Sequence, residues 1–484
     1  MAKTVGIIGA GFSGLLAAYF LEQAFDDQLE VVVFEASGRV GGRVRSPIEP
    51  ETHVRYEAGA AEFYDIKGSP NLKSLVRHLG LEIKALTGTP HFVVNNEVVR
   101  NERALIGLLG QRGVDRLRCF WERGTALRPP QDYALAGREQ DNTHPWLRRT
   151  FEDVLSEIDD AFCQWFTAMQ CHSDLATEPP HATGLFGMDN LLIDHPDYCS
   201  MYTLVGGNES IIKALRNRVH AKICLHAPVT QVAAHGARGI RLTYDGKDNE
   251  SIELDVDGLL VTLPPRGVRK IRWLDAKLEA AVADHVKHHD HATDYVRVTL
   301  FCRRRFWSQQ FPEDYFVSDA FGGVTVYDQS PDGGGAGVGV QSWLLAGASA
   351  REQAVRSDHE VVRAVLQAMP ASTPLNENLL VSSSVDRWTG TSGVCAKPGG
   401  VPLRALNRRH SPDVRWPEVQ FVGDYLYDST LCGALDAVMF AVDRLTETLG
   451  PKTITSRSAM SESLKGSRPK SAFPLSTAFF LDAL

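Results

Sequence analysis

"TVGIIGAGFSGLLAAYFLEQAF", residues 4–25, joins a short apolar run to a glycine-rich turn and then to a long run of helix formers. Residues 4–8 read as a buried strand closed by Gly9. Leu15, Leu16, Ala18, Tyr19 and Leu21 recur at helical spacing within residues 12–25. Between the two, Gly9, Gly11 and Gly14 stand in G-x-G-x-x-G order. The first glycine permits the tight turn, the second lets a pyrophosphate approach the backbone, and the third lets the helix lie close on the strand. The helix N-terminus attracts the phosphate charge. Residues 30–34, "EVVVF", give a second buried strand that ends at Glu35. Strand, helix and strand within about 30 residues predict a βαβ unit and a parallel sheet. Glu35 lies about 20 residues past the glycines, where an acid binds a ribose hydroxyl and repels a 2′-phosphate, so NADP is disfavoured.

The 484 residues suggest two or three domains with ample core. Apolar content of 43% and charged content of 23% are ordinary for a globular chain. A net charge of -8 argues against nucleic acid as a partner. The N-terminus carries no signal-peptide pattern, and no run of about 18 apolar residues occurs, so no membrane span and a cytoplasmic location are expected. Eight scattered cysteines without a CxxC pair point to reduced thiols. "FEDVLSEIDDAFCQWFTAM" (151–169) reads as helical, whereas residues 223–246, 295–307 and 314–327 alternate like strands of an antiparallel sheet. "DGLLVTLPP" (257–265) and "EVQFVGDY" (418–425) read as buried strands, and 432–449 as a helix. The tail from Pro451 is rich in Ser, Lys and Pro and reads as flexible.

Glu35 also opens "EASGRVGGR" (35–43). Arg39 and Arg43 can neutralise a diphosphate there, and Gly41 and Gly42 let backbone N–H groups close on it. This string resembles the second fingerprint of the flavin-dependent amine oxidase family, which includes L-amino-acid, polyamine and monoamine oxidases. The resemblance runs from residue 4 to about 449. It implies a Rossmann-like α/β FAD-binding domain with a parallel sheet, beside a substrate domain of antiparallel sheet and helices. The expected FAD-binding parts are 1–75, 205–285 and 395–450, and the substrate-binding parts are 76–204 and 286–394, with 451–484 as the tail. "APVTQV" is similar to the strand whose backbone meets the adenine, which places Val229 there. "FVGDYLYDSTLCGALDAV" is similar to the C-terminal flavin segment. There Gly423 precedes Asp424, which would bond the ribityl or pyrophosphate region, and the helix from about Gly433 aims its N-terminus at the flavin.

The resemblance also places the reacting end. A family lysine that holds a water near flavin N5 is matched by Arg297, ten residues before Trp307. Arginine can hold a water or an anion but does not deprotonate. Trp388 would lie beside the flavin. Cys395 falls where mammalian monoamine oxidases attach FAD through a thioether; other members bind FAD non-covalently. The two tyrosines that sandwich the amine in monoamine oxidases are matched by Ala396 and Thr430, which implies a wider pocket. "EAGAAEF" (57–63) matches the segment that passes over the flavin into the substrate cavity. L-amino-acid oxidases have an arginine at the Glu62 position and some polyamine oxidases a glutamate. The sign of the charge at Glu62 therefore favours an amine over an α-carboxylate. "HVKHHDH" (285–291) puts His285, His288 and His289 on one face if helical. It reads as a solvated connector, and no metal is expected.

The function implied is oxidation of an amine, or of an amide N–H, to an imine by hydride transfer to flavin N5. O2 would reoxidise the flavin and give H2O2. Three alternatives stay open. They are a biosynthetic oxidase of secondary metabolism whose imine is trapped by cyclisation, an L-amino-acid oxidase, and a flavin-binding protein without turnover. A homodimer is left open as the assembly.

Overall fold

The computed structural model describes residues 2–25, 28–69, 71–86, 91–236, 239–246, 250–331, 337–373, 377–390, 394–395 and 404–450. The expected tail and residues 332–336 of the 330–339 turn lie outside the described residues. Five strands form one parallel sheet in the order Val419–Phe421, Gly258–Val261, Lys3–Ile8, Leu29–Phe34, Lys222–Cys224. In chain order this is 5-4-1-2-3, the doubly wound arrangement that opens a crevice at the carboxyl ends of its strands. The central strands read as unbroken apolar runs because helices and a second layer cover both faces. The helix Phe12–Phe25 packs on this sheet beside the C-terminal helix Leu431–Leu449.

A seven-stranded mixed sheet runs Leu380–Trp388, Tyr295–Cys302, Gly339–Ala346, Val324–Asp328, Tyr315–Ser318, His91–Val94, Glu97–Val99. Its pairings are antiparallel except where Tyr315–Ser318 meets His91–Val94. Arg297 lies at the middle of this sheet's second strand, opposite Leu344 and Asp386. A three-stranded antiparallel sheet, Phe63–Ile66, Cys199–Leu204 and Ile83–Ala85, carries the chain out of the segment that holds Glu62. The chain is thus a mixed α/β fold with one parallel sheet and separate antiparallel sheets. Among the described residues no helix is long and apolar enough to cross a membrane, and seven cysteines are free.

Three expectations need correction. The helical run 151–169 is two helices, Phe151–Leu155 and Ala161–Leu175, because Asp160 accepts from the Cys163 N–H and caps a new start. The strand expected over 295–307 ends at Cys302, where the register with Leu380–Trp388 slips. The histidines are helical, on Ala276–His289, yet His285 is no solvated residue. It is 1% exposed and stacks on Phe421 with ring centroids 4.4 Å apart. Burial, then the charges of Arg404 and His410, holds it well below the usual histidine range, so it is neutral. Among the described residues no group of three or more His, Cys, Asp or Glu is placed to hold a metal ion.

The third fingerprint glycine is where the fold tolerates least. A Cβ on Gly14 would stand 1.9 Å from the Gly9 carbonyl oxygen and 3.1 Å from the Thr262 hydroxyl. Backbone cannot yield that space without moving the helix off the sheet. Gly14→Ala is expected to lower stability by ~3 kcal/mol, read as the denaturant midpoint. An unchanged midpoint would show that the helix is not seated as described.

Candidate active site

The two glycine-rich strings meet backbone to backbone. Gly9, at φ 105°, donates its N–H to the Phe34 carbonyl at 2.7 Å, which closes the turn onto the second strand. Gly41 N–H donates to the Ala10 carbonyl at 2.8 Å. A Cβ on Gly42, at φ 56°, would stand 3.2 Å from the Gly11 Cα. A Cβ on Gly11 would meet only that Gly42 backbone, so the space in front of Gly11 is open. Glu35 Oε2 accepts from the Ala10 N–H at 2.9 Å, while Oε1 accepts from Ser37. The acid thus braces the turn it adjoins. Arg39 donates to the Gly42 carbonyl at 2.6 Å, which sets the second loop. Arg43 makes a two-pronged pair with Asp424, Nη1 to Oδ2 at 2.8 Å and Nη2 to Oδ1 at 2.9 Å. That pair ties the N-terminal loops to the C-terminal segment.

These groups line one end of a cavity of about 460 Å³. Gly9, Gly11, Glu35, Arg39, Gly41, Gly42, Arg43 and Asp424 all face it, as do Glu62, Arg297 and Trp388. The open space at Gly11, the helix N-terminus at Phe12 and two arginines suit a dinucleotide diphosphate. Gly14 and Gly423 do not face the cavity; Gly14 seats the helix, and Gly423 leads into Asp424. Val229 is not on the cavity wall either. It opens the strand Val229–His235, two residues after Ala227, whose N–H donates to the Glu35 carbonyl at 2.9 Å. The backbone at Cys395 pairs with Ala292; its side chain and Ala396 lie outside the described residues. Thr430, a cavity residue, caps the helix Leu431–Leu449 by accepting from the Cys432 and Gly433 N–H groups. That helix therefore presents its N-terminus to the cavity, as expected.

Other polar groups of the same cavity lie on and around the segment 57–62. Trp388 is pinned by its indole N–H to the Ala58 carbonyl at 2.7 Å. Tyr64 donates to Glu62 Oε1 at 2.9 Å. Glu62 Oε2 is sealed from solvent and has no hydrogen-bond partner among the described residues. Arg297 is only 2% exposed, not a surface residue. Its Nη1 donates to Ser342 Oγ at 3.2 Å and its guanidinium lies 5.4 Å from the Tyr327 ring centre, while Nε is without a partner.

Two acids that sequence reasoning passed over join this end. Asp174, from the helix Ala161–Leu175, lines the cavity, and Asp194 follows the lining residue Ile193. Both are half-buried, and only Asp174 itself faces the cavity. Burial pushes the Asp194 carboxyl up to about 7, and Glu62 adds to it. Burial raises Asp174 well above the carboxylate range, followed by the charges of Asp194 and Glu62. The only sign of Asp174 in the sequence is an acid embedded in a helix turn whose neighbours Cys171, His172, Ser173 and Leu175 are all buried. Asp194 gave none.

A family model described as flavin containing amine oxidoreductase matches residues 12–444. The human prenylcysteine oxidase 1-like protein is 26% identical over 277 residues, which is 51% of this chain and 52% of that protein. Curated relatives are matched over 18% to 60% of their own length. In fold, the chain is similar to cyclohexylamine oxidase from Brevibacterium oxydans, with a TM-score of 0.71 at 19% identity over 93% of this chain and all of that one. It is similar to a putrescine oxidase with a TM-score of 0.72 at 18% identity, over 93% of this chain and 99% of that one.

The raised Asp194 carboxyl has a stability consequence. Between its ordinary value of 3.8 and about 7, the folded state keeps a proton that the unfolded chain has released. Stability from this group therefore falls as pH rises through that window. Asp194→Asn removes the fall. Its stability relative to the unsubstituted chain should be near zero at about pH 4 and rise to ~2 kcal/mol by about pH 8. A pH-independent difference in thermal midpoints would contradict the assignment.

Proposed function

This chain belongs to the family of flavin containing amine oxidoreductases, and on that premise we propose that it oxidises the CH–NH unit of an amine to an imine at the expense of O2. The observation that carries the reading is Glu62, whose Oε2 has no partner in the same cavity that holds the dinucleotide cradle. The Gly11 backbone, Arg39, Arg43 and Asp424 would hold FAD in that cradle, where it would supply the hydride acceptor and the route of the electrons to O2, giving H2O2.

The chain's own residues bind, orient and dry the substrate. An amine arrives as an ammonium ion, and a carboxylate with a free oxygen in a confined site attracts it. The nitrogen must be neutral when its α-hydrogen leaves as hydride. Glu62 is placed to hold the ammonium and to take its proton, with Tyr64 steadying the other carboxylate oxygen. Arg297 keeps its charge and has a free Nε, which suits it to hold a water or an oxygen species rather than to accept a proton. Trp388 forms a flat wall that its bond to Ala58 keeps in place. Ile66, Leu344 and other apolar walls exclude water, which strengthens each polar contact inside.

A second reading, oxidation of an amino acid, has one observation in its favour. The free Nε of Arg297 could meet an α-carboxylate. Against it stand the Glu62 and Asp174 carboxyls on the same cavity, which oppose a substrate anion.

Glu62→Gln should slow anaerobic flavin reduction by amines ~100-fold or more while FAD stays bound. The check is the bleaching of the visible flavin band after mixing with a panel of amines and amino acids. Unchanged bleaching in the variant removes Glu62 from the reaction; bleaching by amino acids but not by amines overturns the amine reading.

A further inference from the structure

We infer that His285 and His410, which do not face the cavity, are positioning residues for Asp424, and that they hold its turn only as neutral imidazoles, so that acid loosens the turn and the FAD it serves. This rests on the cofactor cradle described above and not on the identity of the substrate.

Asp424 lies on the short stretch 421–427. Asp424 lines the cavity, whereas Phe421, Tyr425 and Tyr427 are buried away from it. The Leu426 N–H donates to the Gly423 carbonyl at 3.2 Å and the Tyr427 N–H to the Asp424 carbonyl at 3.0 Å, which closes the turn. Tyr425 donates its own N–H to Asp424 Oδ1 at 3.1 Å. The Tyr425 ring also lies over Gly423, where a Cβ would stand 2.5 Å from its Cε1. Moving either tyrosine therefore moves the carboxylate that pairs with Arg43.

Imidazoles hold these aromatic residues on the side away from the cavity. His410 Nδ1 is 3.0 Å from the Phe421 carbonyl oxygen, and its Nε2 is 3.1 Å from the Tyr427 hydroxyl. A carbonyl only accepts, so Nδ1 carries the proton and Nε2 accepts from the hydroxyl. The neutral form thus uses both nitrogens. His285 stacks on Phe421, and its Nε2 is 3.4 Å from the Tyr425 hydroxyl. Its Nδ1 is sealed and has no partner among the described residues. His289 adds a third imidazole, with its ring centre 4.6 Å from that of His285 and 5.4 Å from that of Tyr425. His289 Nε2 is likewise sealed without a partner. An imidazolium needs an acceptor at each nitrogen. At His285 and His289 one nitrogen has none, and at His410 Nε2 already accepts.

The surrounding charges oppose protonation as well. Arg404, His410 and His288 act on His285. His285, His288, Arg404 and Arg409 act on His289, and Arg409 acts on His410. The Arg409 and Arg138 guanidinium groups lie 5.0 and 5.5 Å from the Tyr427 ring centre. Asp284, Asp290 and Asp436, acids on the elements packed here, already pair with Arg404, with Arg266 and Arg269, and with Arg138. Burial holds His410 down to about 3, against the bond to the Phe421 carbonyl and with the charge of Arg409. Burial likewise keeps His285 and His289 well below the usual histidine range. Opening the turn returns the rings to water and to their ordinary value of 6.5. Opening therefore takes up protons below that value, so the closed turn is favoured above about pH 6.5 and loses ground as pH falls.

The test follows the visible circular dichroism of the flavin in the full-length holoenzyme, a signal that needs the flavin held in a fixed asymmetric site. As pH falls from about 8 to about 4.5, the signal should be lost reversibly with a steepness of about two to three protons, a hundredfold to thousandfold change in the closed-to-open ratio per pH unit. His410→Gln, whose amide still donates and accepts, and His285→Phe, which keeps the stack on Phe421, should each lower the steepness by about one proton, or tenfold per pH unit. Each variant is compared with its own signal at about pH 8, so that either one suffices where the other does not fold. A steepness of about one proton or less, or an unchanged steepness in a folded variant, overturns the latch and leaves the amine reading standing. A chain that shows no flavin signal at any pH overturns the latch and the cofactor cradle together.

Discussion

Residues 57–60 lie against residues 43–45 so closely that only glycine fits between them. A Cβ on Gly59 would stand 1.9 Å from the Arg43 carbonyl oxygen. The same carbonyl accepts from the Ala60 N–H at 3.1 Å, and the Arg45 carbonyl accepts from Ala58 and Gly59 at 3.0 and 3.3 Å. Arg43 is the arm of the cofactor cradle that pairs with Asp424, and Glu62 follows Ala60 by two residues. The loop that carries Arg43 and the segment that leads to Glu62 are therefore one backbone unit, with little freedom between them. Glu57 locks the unit from behind: it accepts from the Ser46 hydroxyl at 2.6 Å and the Asn208 N–H at 2.9 Å. Asn208 in turn donates to the Ala60 carbonyl at 2.9 Å. Catalysis by orientation depends on such sub-ångström agreement between a bound cofactor and a substrate-binding group.

On that unit the charges are sorted by task. Arg39, Arg43 and two helix N-termini gather at the diphosphate end, where an anion is expected. Asp424 neutralises part of Arg43 and so fixes where that cation sits. Among the described residues Asp174 and Asp194 make no ion pair, and burial raises the carboxyl of each. Thr430, the capping residue of the last described helix, also lines the cavity. Its hydroxyl is used up by that cap, so it adds little polarity of its own to the wall.

How far the sequence could be read follows from what each feature depends on. The cofactor end rests on local backbone rules. Glycines at fixed spacing, a buried strand and an acid about 20 residues on need no tertiary information. Of the residues so identified, Gly9, Gly11, Glu35, Arg39, Gly41, Gly42 and Arg43 converge on one cavity with Asp424, and Gly14 seats the helix instead. The reacting end depends on how distant elements face each other. The burial of Arg297 could not be read, because nothing in "RVTLFCRRRFW" tells that another strand covers each side of it. His285 looked solvated among polar neighbours, but the helix turns that one position toward Phe421. Asp174 and Asp194 stand in stretches without any motif, and only the fold makes them neighbours of Glu62. Where the pattern 151–169 misled, the cause was a cap: Asp160 ends one reading and starts another within an unbroken amphipathic run.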